Sequence, residues 1–184
     1  MVEMSIYGVS FDLVGKQPIV LLKTAEGNRY LPIWIGHSEA AAILMKLQGS
    51  TAPRPLTHDL LMNMLGELDV DVVRVTVTEL RDNTFHASIT IAQNGAEVEI
   101  DSRSSDAIAI AVRAQVPIFA ADEVIEESAI EMEGDEVNEE EIVDEFKRFL
   151  DKVSAEDFVE AEVEGDVEGD AEDAEAETED DDER

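Results

Sequence analysis

The sequence predicts an α+β domain with a mostly antiparallel sheet and buried helices, followed by a C-terminal amphipathic helix and a disordered acidic tail. Three observations carry this. Alternating apolar and polar residues recur in short runs, apolar stripes at helical spacing fall between those runs, and acidic residues crowd one end. Residues 1–128 hold 18 acids and 9 bases, and residues 129–184 hold 27 acids and 4 bases. The expected divisions are therefore a folded domain over 1–128, a helical appendage over 129–159 and a tail over 160–184.

Each element has its own signal. "VEMSIYGVSFD" alternates as a strand does, and "PIVLLKT", "AEGN" and "RYLPIWI" read as two further strands joined in a hairpin. "HSEAAAILMKLQG" reads as a buried helix, with Ser38 as cap, Glu39 in the first turn and Gly49 just past the end. Pro53 and Pro55 fix the loop "STAPRPLT". A helix then starts at Thr57, with Leu60, Leu61, Met64, Leu65 and Leu68 on one stripe. "VDVVRVTVTEL" and "TFHASITIAQ" are strands of a meander, and Asn94-Gly95 is a two-residue hairpin signal into its third strand. A helix from about 104 to 115 stops before Pro117, "PIFA" is a short strand and "ADEVIEES" a short helix. "NEEEIVDEFKRFLDKV" has Asn138 as cap and Ile142, Val143, Phe146, Phe149, Leu150 and Val153 on one face. The acidic run from about residue 160 has too little apolar content to order itself.

Composition excludes several classes. Without cysteine the chain has no disulfide framework and no thiolate metal site, and it lacks an apolar run of membrane-spanning length and a signal-peptide pattern at its start. A cytoplasmic location is expected. The net charge of -32 fits a protein solvated in concentrated salt, where self-repulsion is screened over about 3 Å. No nucleophile-elbow pattern, glycine-rich phosphate loop, metalloprotease helix motif or calcium loop occurs. Trp34 is expected in the core, His37 in solvent, and His86 on the face opposite Phe85.

The chemistry-bearing residues sit at two corners. Arg54, Thr57, His58 and Asp59 cluster where a rigid loop becomes a helix, and Asp101, Arg103, Ser105 and Asp106 cluster where a strand becomes one. Helix N-termini offer unpaired N–H groups and a positive dipole end, so both corners suit a phosphate, or a divalent cation that holds one. The same residues also fit a purely structural reading. Thr57 and Ser104 or Ser105 make caps, Asp59 and Asp106 satisfy the dipole, and Asp101 and Arg103 suit an ion pair.

In order along the chain, "LPIWIG" with "EAAAI", "RPLTHDLL", "TFHASI", "IDSRSSDAIAIAVR" and "PIFA" resemble the bifunctional nuclease (DNase/RNase) domain family over about residues 3–127. "FKRFLDKVSAEDF" is similar to the tail segment of archaeal and bacterial members, while Ser104 stands where members more often carry proline. The resemblance implies an α+β domain, oligomeric assembly and nuclease activity on DNA and RNA. It transfers no residue role, so candidates come from the chemistry of phosphodiester hydrolysis. That reaction needs an activated water, charge stabilisation at the phosphate and a proton for the leaving group. Asp59, Asp101 and Asp106 are the expected ligands of Mg²⁺ or Mn²⁺, Arg54 or Arg103 the phosphate clamp, and His58 a general acid or base. The nine bases of the domain are few for a nucleic-acid binder, although a basic face gains little from counterion release in molar salt. The competing expectation is a non-catalytic oligomeric binding or regulatory module whose corners are caps and ion pairs.

Overall fold

The computed structural model describes residues 1–11 and 17–131, with only the backbone of Phe11. The expected helix at 138–153 and the acidic tail lie outside the described residues. Within them the elements are β1 (Val2–Phe11), β2 (Pro18–Thr24), β3 (Arg29–Trp34), α1 (His37–Leu47), α2 (Thr57–Glu67), β4 (Asp71–Arg81), β5 (Thr84–Gln93), β6 (Ala96–Arg103), α3 (Ser104–Ala114), β7 (Ile118–Ala120), α4 (Asp122–Ser128) and β8 (Ile130–Glu131). All strands join one sheet in the order β6-β5-β4-β7-β1-β2-β3-β8. Every pairing is antiparallel except β4 with β7.

Local sequence explains the joints. Asn94 and Gly95 take φ 52 and 79 between β5 and β6, and Asp82 and Asn83 take φ 50 and 57 between β4 and β5. Two positive-φ residues match the twist of a tight hairpin, and Asn, Asp and Gly adopt them most readily. Helix ends are equally regular. Past α1, Gly49 at φ 66 donates its N–H to Lys46 O while Ser50 donates to Met45 O, a Schellman close. Asp69 at φ 52 and Gln115 at φ 57 occupy the same left-handed position after α2 and α3.

The core lies where α1 and α3 pack on the sheet. Leu22, Leu31, Ile33, Ile43, Ile108 and Ile110 are fully buried, each worth roughly 1.5–3 kcal/mol relative to exposure. Ala40, Ala42, Ala107, Ala109 and Ala111 are buried as well, and side chains this small let the two helices approach closely. α1 is buried as expected, whereas the apolar stripe read for α2 is left largely uncovered. None of its residues is buried, and Leu60, Leu61 and Met64 are exposed, as is Leu68 just past its end. Trp34 is also outside the expected core, at 54% exposed. The period of two in β3 is the reason: Leu31, Ile33 and Ile35 point inward, so Trp34 points the other way.

Candidate functional site

The first turns of α1, α2 and α3 meet at one cleft of about 280 Å³, lined by Ser38 and Glu39, by Leu56, Thr57 and His58, and by Arg103 and Asp106. The residues before these helices are Gly36, Leu56 and Arg103, all extended and none capping with its own side chain. The expected caps Ser38, Thr57, Ser104 and Ser105 are instead helical residues. An acidic side chain serves the start of α2, where the Asp59 carboxylate accepts a hydrogen bond from the Leu56 N–H at 3.0 Å; at α1 the Ser38 hydroxyl donates to Glu39 at 3.1 Å. A side chain at Gly36 would collide with Glu39 Oε2, so the glycine leaves room for that carboxylate.

Arg103 closes the cleft from the end of β6. Its Nε donates to Asp106 Oδ2 at 2.7 Å, and its Nη2 donates to Asp106 Oδ1 at 3.1 Å and to Glu39 Oε1 at 2.9 Å. Nη1 makes no hydrogen bond among the described residues. His58 Nε2 lies 3.0 Å from Asp106 Oδ1, with the imidazole 12% exposed. One carboxylate therefore holds both a guanidinium and an imidazole. Burial works to raise the Asp106 pKa, yet the hydrogen bonds from Arg103 and His58 outweigh it and hold the carboxyl below its ordinary value. The hydrogen bond to Asp106 also raises the Arg103 pKa.

Asp59 belongs to another set of partners. Its Oδ1 accepts from Arg113 Nε at 2.6 Å, and Arg113 also donates to Ala109 O at 3.0 Å and Ala42 O at 3.2 Å. With Arg113 only 5% exposed, this is a buried tie between α1, α2 and α3. Burial works to raise the Asp59 pKa, but the bonds from Arg113 and the Leu56 N–H bring it below normal. Arg54 lies with Asp59, Arg113 and Lys46 around a second cleft of about 260 Å³, apart from Arg103.

Asp101 stands opposite Ser88 on the exposed edge strand β6, alternating with Val98 and Ile100, and forms no ion pair among the described residues. Arg103, the partner expected for it, pairs with Asp106 and Glu39 instead. Among the described residues no group of three or more His, Asp or Glu side chains is placed to hold a metal ion. Asp59, Asp101 and Asp106 are thus not gathered into one ligand set, and the oxygens of Asp59 and Asp106 already face cations or N–H groups. His86 contacts Arg81 at 3.4 Å and stands opposite Arg103 across β5 and β6, but does not line this cleft. Trp34, Phe85 and Arg103 line a third cleft of about 310 Å³.

A sequence profile of the bifunctional nuclease domain matches residues 20–133, which include Glu39, His58, Asp59, Arg103, Asp106 and Arg113. The chain belongs to the bifunctional nuclease domain family. An uncharacterized protein of Mycobacterium tuberculosis is 41% identical over 163 residues, covering 85% of this chain and 97% of that protein. Bifunctional nuclease 1 of Oryza sativa subsp. japonica is 30% identical over 103 residues, covering 54% of this chain but 31% of the rice protein. Bifunctional nuclease 1 of Arabidopsis thaliana is 29% identical over 105 residues, 55% of this chain and 32% of that one. The family match begins after β1, yet β1 pairs with both β2 and β7, so the bifunctional nuclease fold in this chain includes a strand upstream of the matched segment. Sequence reasoning missed Arg113 as the partner of Asp59, and gave Glu39 only a place in its first turn.

Proposed function

We propose that this chain is a nuclease that hydrolyses the phosphodiester bonds of DNA and RNA at the cleft formed by Arg103, Asp106 and His58. The supporting observation is the meeting of three helix N-terminal turns with a guanidinium, an imidazole and a carboxylate in one cleft. Aligned helix dipoles and unpaired N–H groups favour an anion at such a place. A substrate range that includes DNA excludes attack by a 2′-hydroxyl, which DNA lacks, and we assign the nucleophile to water.

In this reading the phosphate oxygens take the place beside Arg103, whose Nη1 is unused. Asp106 holds His58 by Nε2, leaving Nδ1 to remove a proton from the attacking water. The water oxygen bonds to phosphorus, the phosphorus–oxygen bond to the leaving nucleoside breaks, and the proton taken by His58 is available to the leaving oxygen. Arg103 stabilises the charge on the pentavalent phosphate. Glu39 and Asp106 repel an incoming strand, and Mg²⁺ or Mn²⁺ carried by the nucleic acid would neutralise its phosphates.

The test is incubation of the purified chain with single- and double-stranded DNA and RNA in high salt, with Mg²⁺, with Mn²⁺ and with EDTA. Cleavage of both DNA and RNA supports the proposal, and loss of activity in EDTA assigns a role to the metal. Absence of cleavage on all four substrates in every condition removes it.

A second reading has its own observation. Leu60, Leu61, Met64 and Leu68, on and just past α2, are all exposed, an apolar stripe of the kind that marks an interaction surface. It favours a homo-oligomer, and a non-catalytic binding or regulatory module if cleavage is absent. Sedimentation of the full chain as a monomer at micromolar concentration would count against assembly.

A further inference from the structure

We infer that the cleft bearing Lys46 and Arg54 is a second phosphate subsite, which holds a neighbouring phosphodiester of the strand whose cleavage is proposed at His58 and Arg103. This inference rests on the nucleic-acid reading above.

The charge balance of this cleft runs against that of the molecule. Its walls carry Lys46, Arg54 and Arg113 against one carboxylate, Asp59, and that carboxylate is paired with Arg113 at 2.6 Å. Two cations are left over in a chain of net charge -32. Most other described bases are engaged: Arg74 with Glu97 and Glu99, Arg81 with Glu79, Arg103 with Asp106 and Glu39, and Lys23 over the rings of Tyr7 and Tyr30. The side chains of Lys46 and Arg54 form neither a hydrogen bond nor an ion pair among the described residues. Both side chains are exposed and open to the same space.

The loop is built to present Arg54. Pro53 and Pro55 flank it, so both neighbouring φ angles are fixed and Arg54 itself is pushed to extended backbone. A side chain on so stiff a backbone loses less freedom on binding. Ser50, Thr51 and Asn63 add neutral donors around the same volume of about 260 Å³.

Position relates this cleft to the proposed catalytic one. Leu56 lines both, and His58 and Asp59, consecutive in the first turn of α2, line one each. A strand whose scissile phosphate lies at Arg103 can pass that turn and set its next phosphates against Lys46 and Arg54. The division of labour follows from charge. The catalytic cleft holds two carboxylates beside its arginine, and these oppose the pull of its helix N-termini on a phosphate, so cations at a neighbouring subsite would add affinity.

The experiment measures binding rather than cleavage. Lys46→Gln/Arg54→Gln and the single variant Arg54→Gln are compared with the full wild-type chain for binding of a fluorescent 12-nucleotide single strand, across the KCl range in which circular dichroism shows all three folded. The double variant should bind about tenfold more weakly at the lowest salt, and its log–log salt slope should fall by about 0.7 for each cation removed. Arg54→Gln should lie between. Unchanged affinity and slope in the double variant would overturn the inference while leaving the nuclease reading in place. Strand binding that depends on Lys46 and Arg54, in a protein that cleaves nothing, would uphold the subsite and sink the nuclease. Equal weakening for the strand and for inorganic phosphate alone would mean a free-phosphate site, and would also overturn it.

Discussion

Arg103 and Asp106 are joined by two hydrogen bonds, Nε to Oδ2 at 2.7 Å and Nη2 to Oδ1 at 3.1 Å, and the second oxygen also meets His58 Nε2 at 3.0 Å. A strand end, the start of α3 and the start of α2 are thereby fixed by one carboxylate. Asp106→Asn keeps the size of the side chain but offers one acceptor oxygen in place of two. If the cluster is catalytic, this variant loses about 10²-fold or more in kcat while its Tm shifts by only a few degrees. Steady-state kinetics beside a thermal melt checks it. A wild-type rate would make the corner a structural tie alone.

Arg113 is expected to matter for stability. Replacing it with Met takes the guanidinium from Asp59, which keeps only the Leu56 N–H, and from the carbonyls of Ala42 and Ala109, which keep their places in α1 and α3, at a cost of about 1–2 kcal/mol after allowing for the partial exposure of Asp59. Denaturant unfolding measures this directly. A variant as stable as the wild type would show that the tie between the three helices carries no net energy.

Acid should expose the two carboxylates. Both Asp59 and Asp106 have folded pKa values below the ordinary 3.8, so the stability they supply is complete above that value and is lost as pH falls through the lower folded values. These two groups add no slope between about pH 5 and 8. In a pH series of unfolding free energies, Asp59→Asn/Asp106→Asn should be less stable at neutral pH and show a shallower fall below about pH 4. A fall as steep as that of the wild type would assign acid sensitivity to other acids.

The signals that were legible in the sequence are those that act over short distances. Alternation placed β1 to β6, Asn94-Gly95 placed a hairpin, and Gly49 and Pro117 placed two helix ends. The parallel pairing of β4 with β7 and the two-residue β8 depend on contacts between distant segments and leave no local period. The site divides in the same way. His58, Arg103 and Asp106 stood out because polar and charged residues at the corners where a loop or a strand becomes a helix are visible in sequence. Glu39 and Arg113 find partners 64 and 54 residues away, and neither pairing has a spacing to read. The capping expectations failed because Ser38 and Thr57 are already helical, and at the start of α2 it is Asp59, inside the helix, that accepts the Leu56 N–H.

Gln115 offers a backbone test. It holds φ 57 after α3, where a side chain is strained and glycine is not. Gln115→Gly should raise stability by about 0.5 kcal/mol, the relief of strain being partly offset by the freer unfolded chain. A loss of stability would mean that the glutamine side chain makes up for its backbone.

Salt should stabilise the fold. Self-repulsion of 45 acids against 13 bases weakens as ions screen it, so the melting temperature should climb from dilute to molar KCl. A flat or falling curve would contradict the expectation of a salt-adapted protein.

The cleft between the first turns of α1, α2 and α3 is most directly tested by chemical rescue. The measurement is the single-turnover cleavage rate of a defined oligonucleotide by wild type and by His58→Ala, each with and without added imidazole. Loss of about 10²-fold or more in the variant, with imidazole restoring part of it and leaving the wild type unchanged, is the expected result. A folded His58→Ala that cleaves at the wild-type rate would place the chemistry elsewhere.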